Sequence, residues 1–363
     1  MLKIISDLHR QLSHPIRDLD STRRNRSNQI DTLDGLRGFA ALMVLTAHTP
    51  QNWFVSQTGV GVFVFFALSG WVLSKPYLSR FDGSPNLRDG VHYLVRRVLR
   101  IVPLYFVVVF VFWLHGRGYW DAAYLIDHYS FTAGTGHFWS VPSEMRFYLF
   151  LPIPIWLCSK LESAWMRVAL LAGLSVLSFF VFKDGGLFAI DTYQKTPVKL
   201  FLDIFLGGAT AAALAVALEK NNIRVPNVVP HTALIAILVF LLLSTESIRT
   251  QIPILGETFP SVSFYHFVNP WIVLSIIWVL CCGLVRSGPL HRFWSSDLSR
   301  LFGLLTFGIY LLHPLVIWEL EHSFELQPGP VFWLVAVLLT TGLSWLAYCF
   351  IERPAMNLKR FLR

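Results

Sequence analysis

Arg37 and His48 stand eleven residues apart in LDGLRGFAALMVLTAHTP, a stretch otherwise apolar enough to enter a lipid bilayer. An ionisable side chain inside such a segment costs several kcal/mol and by default marks a pathway or a site. At a rise of about 1.5 Å per residue, His48 is expected about 16 Å beyond Arg37, near the middle of a hydrocarbon core about 30 Å thick. His313, in FGIYLLHPLV, reaches a similar depth by the same arithmetic. Glu144, in HFWSVPSEMRFYLFLP, is expected about 7 or 8 Å below the opposite surface, and Ser69, in FFALSG, near mid-depth. Imidazole exchanges a proton near neutral pH, and a carboxylate can orient it or steady the imidazolium. From separate helices, two histidines, a carboxylate and a hydroxyl are expected to converge on one buried volume, which is the inventory of a proton-transfer site. Each also has a plainer reading. Ser69 beside Gly70 is close helix packing, His313 caps or kinks its helix beside Pro314, and arginines at span ends set topology. Glu144 resists the plain reading, because an acidic group in a lipid-facing helix has no packing gain to offset its desolvation.

With 54% hydrophobic and 14% charged side chains, the 363-residue chain is too apolar for a water-soluble globule, whose charged fraction is about 25%. It reads as an all-α, polytopic integral membrane protein with about ten transmembrane helices, beginning near residues 36, 59, 98, 139, 165, 200, 229, 268, 302 and 331. Lys and Arg are retained on the cytoplasmic side. With both termini cytoplasmic, 24 of the 30 Lys and Arg lie there; Arg117, Lys183, Lys195, Lys199 and Arg249 lie outside, and Arg146 falls within a span. Topology then explains the net charge of +8, and no nucleic-acid partner is expected. Arg37, Arg97 and Arg100, the last two in RRVLRIVPLY, share the cytoplasmic face. Residues 1–32 are expected to form a basic cytoplasmic arm against anionic lipid, 33–354 the membrane domain and 355–363 a cytoplasmic tail. The first 35 residues hold no apolar core of leader length, so no cleaved leader is expected. Cys158, Cys281, Cys282 and Cys349 lie in apolar segments without metal-type spacing, so neither a disulfide nor a metal site is expected.

Six stretches in order resemble the acyltransferase-3 family of membrane acyltransferases. LDGLRGFAALMVLTAH is similar to its first-span Arg and His, here Arg37 and His48. GVGVFVFFALSGWVLS is similar to its second-span Phe-Phe-x-x-Ser-Gly, which includes Ser69. RRVLRIVPLY carries its Arg-x-x-Arg at Arg97 and Arg100. FWSVPSEMRFYLFLP resembles its acidic segment with Glu144, FGIYLLHPL its Tyr-x-x-His element at Tyr310 and His313, and IERP its terminal Glu-x-Pro at Glu352 and Pro354. The resemblance covers residues 33–354. Two departures from the family pattern stand out. Met145 and Arg146 stand where Glu-Gln is common, and Pro142 stands where serine is common; a proline is tolerated in a helix's first turn.

The resemblance implies a multi-pass enzyme of the bacterial plasma (inner) membrane. Its donor is acetyl-CoA, used as a substrate with no permanently bound cofactor, and its acceptor is a hydroxyl of a lipid-linked or exported polysaccharide, exopolysaccharide or O-antigen. Polysaccharide-assembly proteins are the partners it suggests. Coenzyme A phosphates cannot cross hydrocarbon, and the planar donor fork of guanidinium suits phosphate oxygens; Arg37, Arg97 and Arg100 are the expected acyl-CoA-binding cations. His48 is the expected general base, with Glu144 either orienting it or holding the acceptor. Ser69, Tyr310, His313 and Glu352 support the site, Tyr310 as a candidate oxyanion donor. Direct transfer and an acyl-histidine intermediate both fit these residues. The chain's last residue, Arg363, leaves no length for the hydrolase-like module that some family members add, so none is expected. Transfer of a succinyl or longer acyl group, or glycolipid transport, are the alternatives; many transporters show internal two-fold repeats, and none is visible here.

Overall fold

The computed structural model describes residues 11–24, 31–50, 59–80, 87–116, 121–182, 190–191, 197–198, 201–243, 251 and 268–359. These are helical apart from connecting turns and a two-residue antiparallel pairing of Ile190–Asp191 with Pro197–Val198. In chain order the helices are α1 (His14–Arg24), α2 (Asp31–His48), α3 (Gly59–Ser79), α4 (Leu87–His115), α5 (Ala122–Tyr129), α6 (Ser140–Phe150) and α7 (Pro152–Ser159). They continue as α8 (Ala164–Phe182), α9 (Leu202–Lys220), α10 (Val228–Leu243), α11 (Val268–Leu284), α12 (Pro289–Trp294), α13 (Asp297–His322), α14 (Pro330–Ala347) and α15 (Arg353–Asn357). A 3₁₀ turn over Gly136–Trp139 leads into α6, and a π-helical turn over Tyr348–Glu352 joins α14 to α15.

Six described helices are long and apolar enough to cross a membrane: α3, Gly90–His115 of α4, Ala164–Val181 of α8, α9, α13 and the stretch Pro330–Asn357. Val228–Leu243 and Trp271–Leu284 are apolar but shorter. Among the described residues, six thus stand against the expected ten or so. Two expected spans have a different form. α2 carries Asp31, Asp34 and Arg37 and ends at His48, just before Pro50, which disfavours helix in the residue preceding it. His48 is therefore the last residue of its helix. The expected span from residue 139 is divided at Leu151, because Pro152 has no N–H to offer the carbonyl of Tyr148. The amino-terminal arm has structure of its own. Over residues 11–24 it is helical, and two bonds dock it: Trp345 Nε1 donates to the Leu12 carbonyl (2.9 Å) and Tyr348 Oη to Asp18 (2.7 Å).

The chain divides into two compact units, Met1–Phe65 with Arg224–Phe350, and Phe66–Ile223 with Ile351–Arg363. In the first, α13 packs against α2 and α14. The α2–α13 contact is backbone to backbone. A Cβ added to Gly38 would strike the Gly303 nitrogen and the Ser299 carbonyl, and one added to Gly303 would strike the Asp34 carbonyl. Small residues of this kind let helices approach to main-chain distance. Buried Arg300, 2% exposed, locks the same seam through Asp31 (3.6 Å) and Asp297 (3.8 Å). Trp333 Nε1 donates to Thr46 (3.0 Å) and ties α14 to α2; Thr32 donates to the Cys282 carbonyl (2.6 Å) and ties in α11.

In the second unit, Gly70 of α3 lies on the Phe205 carbonyl and Gly208 of α9 on the Ala67 carbonyl, another main-chain crossing. Phe205 is stacked between Phe66 (4.4 Å) and Phe147 (4.2 Å), and Trp139 meets Phe66 edge-on (5.7 Å). This aromatic stack fixes α6 against α3.

A side chain at Gly38 has no space without parting α2 from α13. Gly38→Val is expected to destabilise the protein by about 1–3 kcal/mol or more, read as a lowered midpoint of thermal unfolding in detergent, whereas a substitution at exposed Val176 leaves the midpoint in place.

Candidate functional site

The seam between α2 and α13 aligns two imidazoles. Gly38 and His48 are ten residues apart, as are Gly303 and His313. Because Gly38 meets Gly303 and His48 meets His313, the two helices run parallel and in register. The rings make an edge-to-face contact with centroids 4.8 Å apart. His313 is fully buried at mid-helix, while His48 at the end of α2 is exposed on the protein surface.

Both rings have the same nitrogen engaged. His48 Nδ1 lies 2.8 Å from the Val44 carbonyl, and His313 Nδ1 lies 2.8 Å from the Tyr310 carbonyl and 3.2 Å from that of Ile309. A carbonyl only accepts, so Nδ1 carries the hydrogen in each ring and the neutral form has its lone pair on Nε2. Pro314 supplies the reason at His313. It has no N–H for the Tyr310 carbonyl four residues earlier, and the neighbouring imidazole fills that place. The plainer reading of His313 as a helix-mending residue thus holds for Nδ1. Tyr310, 5% exposed, lies 6.0 Å ring to ring from His313 and meets Phe65 edge-on at 6.1 Å.

In the second unit, Glu144 is half-buried in α6 and its Oε1 accepts two hydroxyls, from Ser69 Oγ at 2.8 Å and from Tyr148 Oη. The aromatic stack explains the first: Ser69 is one turn from Phe66, and Glu144 one turn from Phe147. The second follows from i,i+4 spacing on one helix. Two donors on one oxygen hold the carboxylate in a single orientation. Tyr148, absent from the expected set, was signalled by that spacing. Its ring meets Tyr93 edge-on at 6.4 Å, and Arg97 lies over the Tyr93 ring at 5.9 Å.

The expected cations have three different environments. Arg37 in the first unit pairs with Asp34 of its own helix at 3.9 Å. Arg97 is half-buried on Tyr93, with Nε lacking a hydrogen-bond partner among the described residues. Arg100 lies near enough to act on the charge of Glu352, which is 3% exposed at the end of the π turn before Pro354. Arg146, two residues past Glu144 and so on another side of α6, donates to the Phe131 carbonyl at 3.1 Å. Phe131 has a left-handed backbone (φ 57) in the turn after α5, and His128 holds that turn. His128 Nδ1 donates to the Tyr124 carbonyl (2.7 Å), so Nε2 accepts the Thr135 backbone N–H (3.1 Å) and the Thr135 hydroxyl (2.6 Å). Among the described residues, no group of three or more His, Cys, Asp or Glu is placed to hold a metal ion, and no disulfide joins any of the four cysteines.

The sequence profile of an acyltransferase domain, the acyltransferase-3 type, matches residues 30–349. The chain is similar to the putative peptidoglycan O-acetyltransferase YrhL of Bacillus subtilis, with 27% identity across 90% of this chain and 54% of that protein. It is 22% identical to the O-acetyltransferase OatA of Staphylococcus aureus, over 89% of this chain and 56% of the other. The peptidoglycan O-acetyltransferase OatA of Listeria monocytogenes is also 22% identical, over 92% and 57%. The chain spans about half the length of the curated relatives it matches. No solved structure matches.

Removing either donor to Glu144 should loosen α6 from its support. Tyr148→Phe is expected to cost about 1.5–3 kcal/mol and Ser69→Ala a similar or smaller amount, measured by denaturant or thermal unfolding. Burial lowers the pKa of His128, opposed by its bond to Tyr124 and by Asp127. The unfolded chain therefore binds this proton first as pH falls; the stability contributed by neutral His128 is complete above about 6.5 and is lost progressively below it. Thermal midpoints of wild type should drop on acidification through that range, with a flatter profile in His128→Gln.

Proposed function

The chain belongs to the acyltransferase-3 family, and from that premise we propose that it is a membrane O-acetyltransferase. It moves an acetyl group from acetyl-CoA to a hydroxyl of an exported or lipid-linked polysaccharide, with His48 as general base. The relatives' names make peptidoglycan the first acceptor to test. The observation that carries this reading is the histidine pair: His48 and His313 in ring contact, each with Nδ1–H committed to a main-chain carbonyl and Nε2 left as the basic atom.

A sugar hydroxyl is a weak nucleophile until its proton is removed during attack. In the proposed step His48 Nε2 takes that proton as the acceptor oxygen bonds the acetyl carbon. The carbon–sulfur bond then breaks and the imidazolium returns the proton to the departing sulfur, giving an ester and a free thiol. Buried His313 keeps the His48 ring in place. Glu144, oriented by Ser69 and Tyr148, is proposed to hold acceptor hydroxyls. Arg37 and Arg100 are proposed to counter the phosphate charge of the donor. The proposed topology is ten spans with both termini cytoplasmic. In support, helices start at or within a few residues of most of the ten expected positions, and the basic residues segregate to one side on that scheme.

Membranes carrying the protein, given radiolabelled acetyl-CoA, are expected to label glycan. His48→Ala should lower the rate by about 10²-fold or more while the purified variant keeps its thermal midpoint. A folded His48→Ala protein that labels glycan at the wild-type rate rules out the base assignment, and a wild type that labels no glycan rules out the enzyme reading.

A further inference from the structure

His48 occupies the last turn of α2, where main-chain carbonyls run out of helical N–H partners and helix ends fray. The Thr46 carbonyl has a further handicap: the residue four positions on is Pro50, which has no N–H. Thr49 answers it twice. Its backbone N–H donates to that carbonyl at 3.2 Å, and its buried hydroxyl donates to the same oxygen at 2.7 Å. His313 meets the corresponding need on α13, where it precedes Pro314 and bonds the Tyr310 carbonyl.

These bonds close the turn on itself but do not fix where it lies. That takes a partner on another helix, and half-buried Trp333, in the first turn of α14, is one. Its Nε1–H donates to Thr46 Oγ1 at 3.0 Å. An indole N–H only donates, and Thr46 is 9% exposed, so the bond is sheltered. Trp333 is held in turn, because its backbone N–H donates to the Gly329 carbonyl at 3.1 Å and its neighbour Phe332 is fully buried. His48 thus sits between two fixed threonines, Thr46 tied to α14 and Thr49 tied to its own turn, while its ring rests on His313. All of these residues belong to the first unit.

We propose that Trp333 is a positioning residue for the acetyl transfer: through Thr46 it holds the end of α2 so that His48 presents Nε2 at one place. The role rests on the reading of His48 as general base. A reacting group misplaced by about 1 Å can lose about 10²-fold in rate, and a base is kept in place by packing and by hydrogen bonds to the groups that carry it. Trp333 lies outside the six stretches that resemble the family, so its part is visible only in the packing of α14 on α2. A bond that merely stapled the two helices would affect stability and leave the kinetics of the folded protein alone.

The test is the rate of glycan labelling from radiolabelled acetyl-CoA in membranes carrying the full chain. Trp333→Phe removes the N–H and keeps an aromatic ring, Thr46→Val removes the oxygen and keeps the shape, and Thr46→Ser keeps the oxygen. Trp333→Phe and Thr46→Val should each lower kcat by about tenfold with KM for acetyl-CoA unchanged. Thr46→Ser should keep the wild-type kcat, and the double variant of Trp333→Phe with Thr46→Val should lose no more than either alone. Wild-type kcat in folded Trp333→Phe and Thr46→Val proteins overturns the role. Losses that multiply in the double variant, or a fall in kcat matched by a rise in KM for acetyl-CoA, also overturn it. His48→Ala separates the two readings: a loss there with none in Trp333→Phe overturns this role alone, whereas wild-type turnover in His48→Ala overturns the base assignment and this role with it.

Discussion

Main-chain contact between α2 and α13 is the constraint from which the first unit's chemistry follows. Glycines at 38 and 303 let two parallel helices touch without intervening side chains, and ten residues further along each helix the same register delivers an imidazole. In a bilayer there is no hydrophobic gain in bringing two apolar helices together, so close packing and polar pairing must hold such a seam. Arg300 between Asp31 and Asp297 supplies the polar part at one end. Trp333 on Thr46 supplies it near the other.

The second unit solves a related problem with aromatic packing. The stack of Phe66, Phe205 and Phe147 sets the rotation of α3 and α6, and from that rotation Ser69 and Tyr148 both reach Glu144 Oε1. Two of its cations are met by main-chain carbonyls: Arg146 by Phe131, and buried Arg167 by Leu161 through Nε (3.0 Å) and Nη2 (2.7 Å). A carbonyl satisfies guanidinium donors without introducing a second charge that must itself be desolvated. Carboxylates are thereby left for other tasks.

Prolines recur beside the groups assigned to chemistry. Pro50 follows the helix end that presents His48, Pro314 frees the carbonyl that binds His313, and Pro152 divides α6 from α7 one turn beyond Tyr148. In a membrane protein a lost helical hydrogen bond must be replaced by a nearby group. The replacement at Tyr310 also selects the tautomer of His313, so one backbone defect both costs a bond and orients a ring.

Much of this was legible in the amino-acid sequence. The helical class, the rarity of ionisable groups within apolar stretches, the identity of His48, Glu144 and His313 as exceptions, and the family all follow from residue types and order. Short-range bonds such as Pro314 freeing Tyr310 for His313, or Glu144 with Tyr148, lie within a single turn and were readable in principle. Depth along a helix axis gives one coordinate only: it set His48 level with His313 but did not say which helix faces would meet. Tertiary structure alone decided that His48 meets His313, that Ser69 rather than another hydroxyl meets Glu144, and that Arg97 lies on Tyr93 while Arg100 acts on Glu352. Those choices depend on helix rotation and on neighbours far apart in the chain, and both are set by packing of glycine seams and aromatic stacks that no local pattern records.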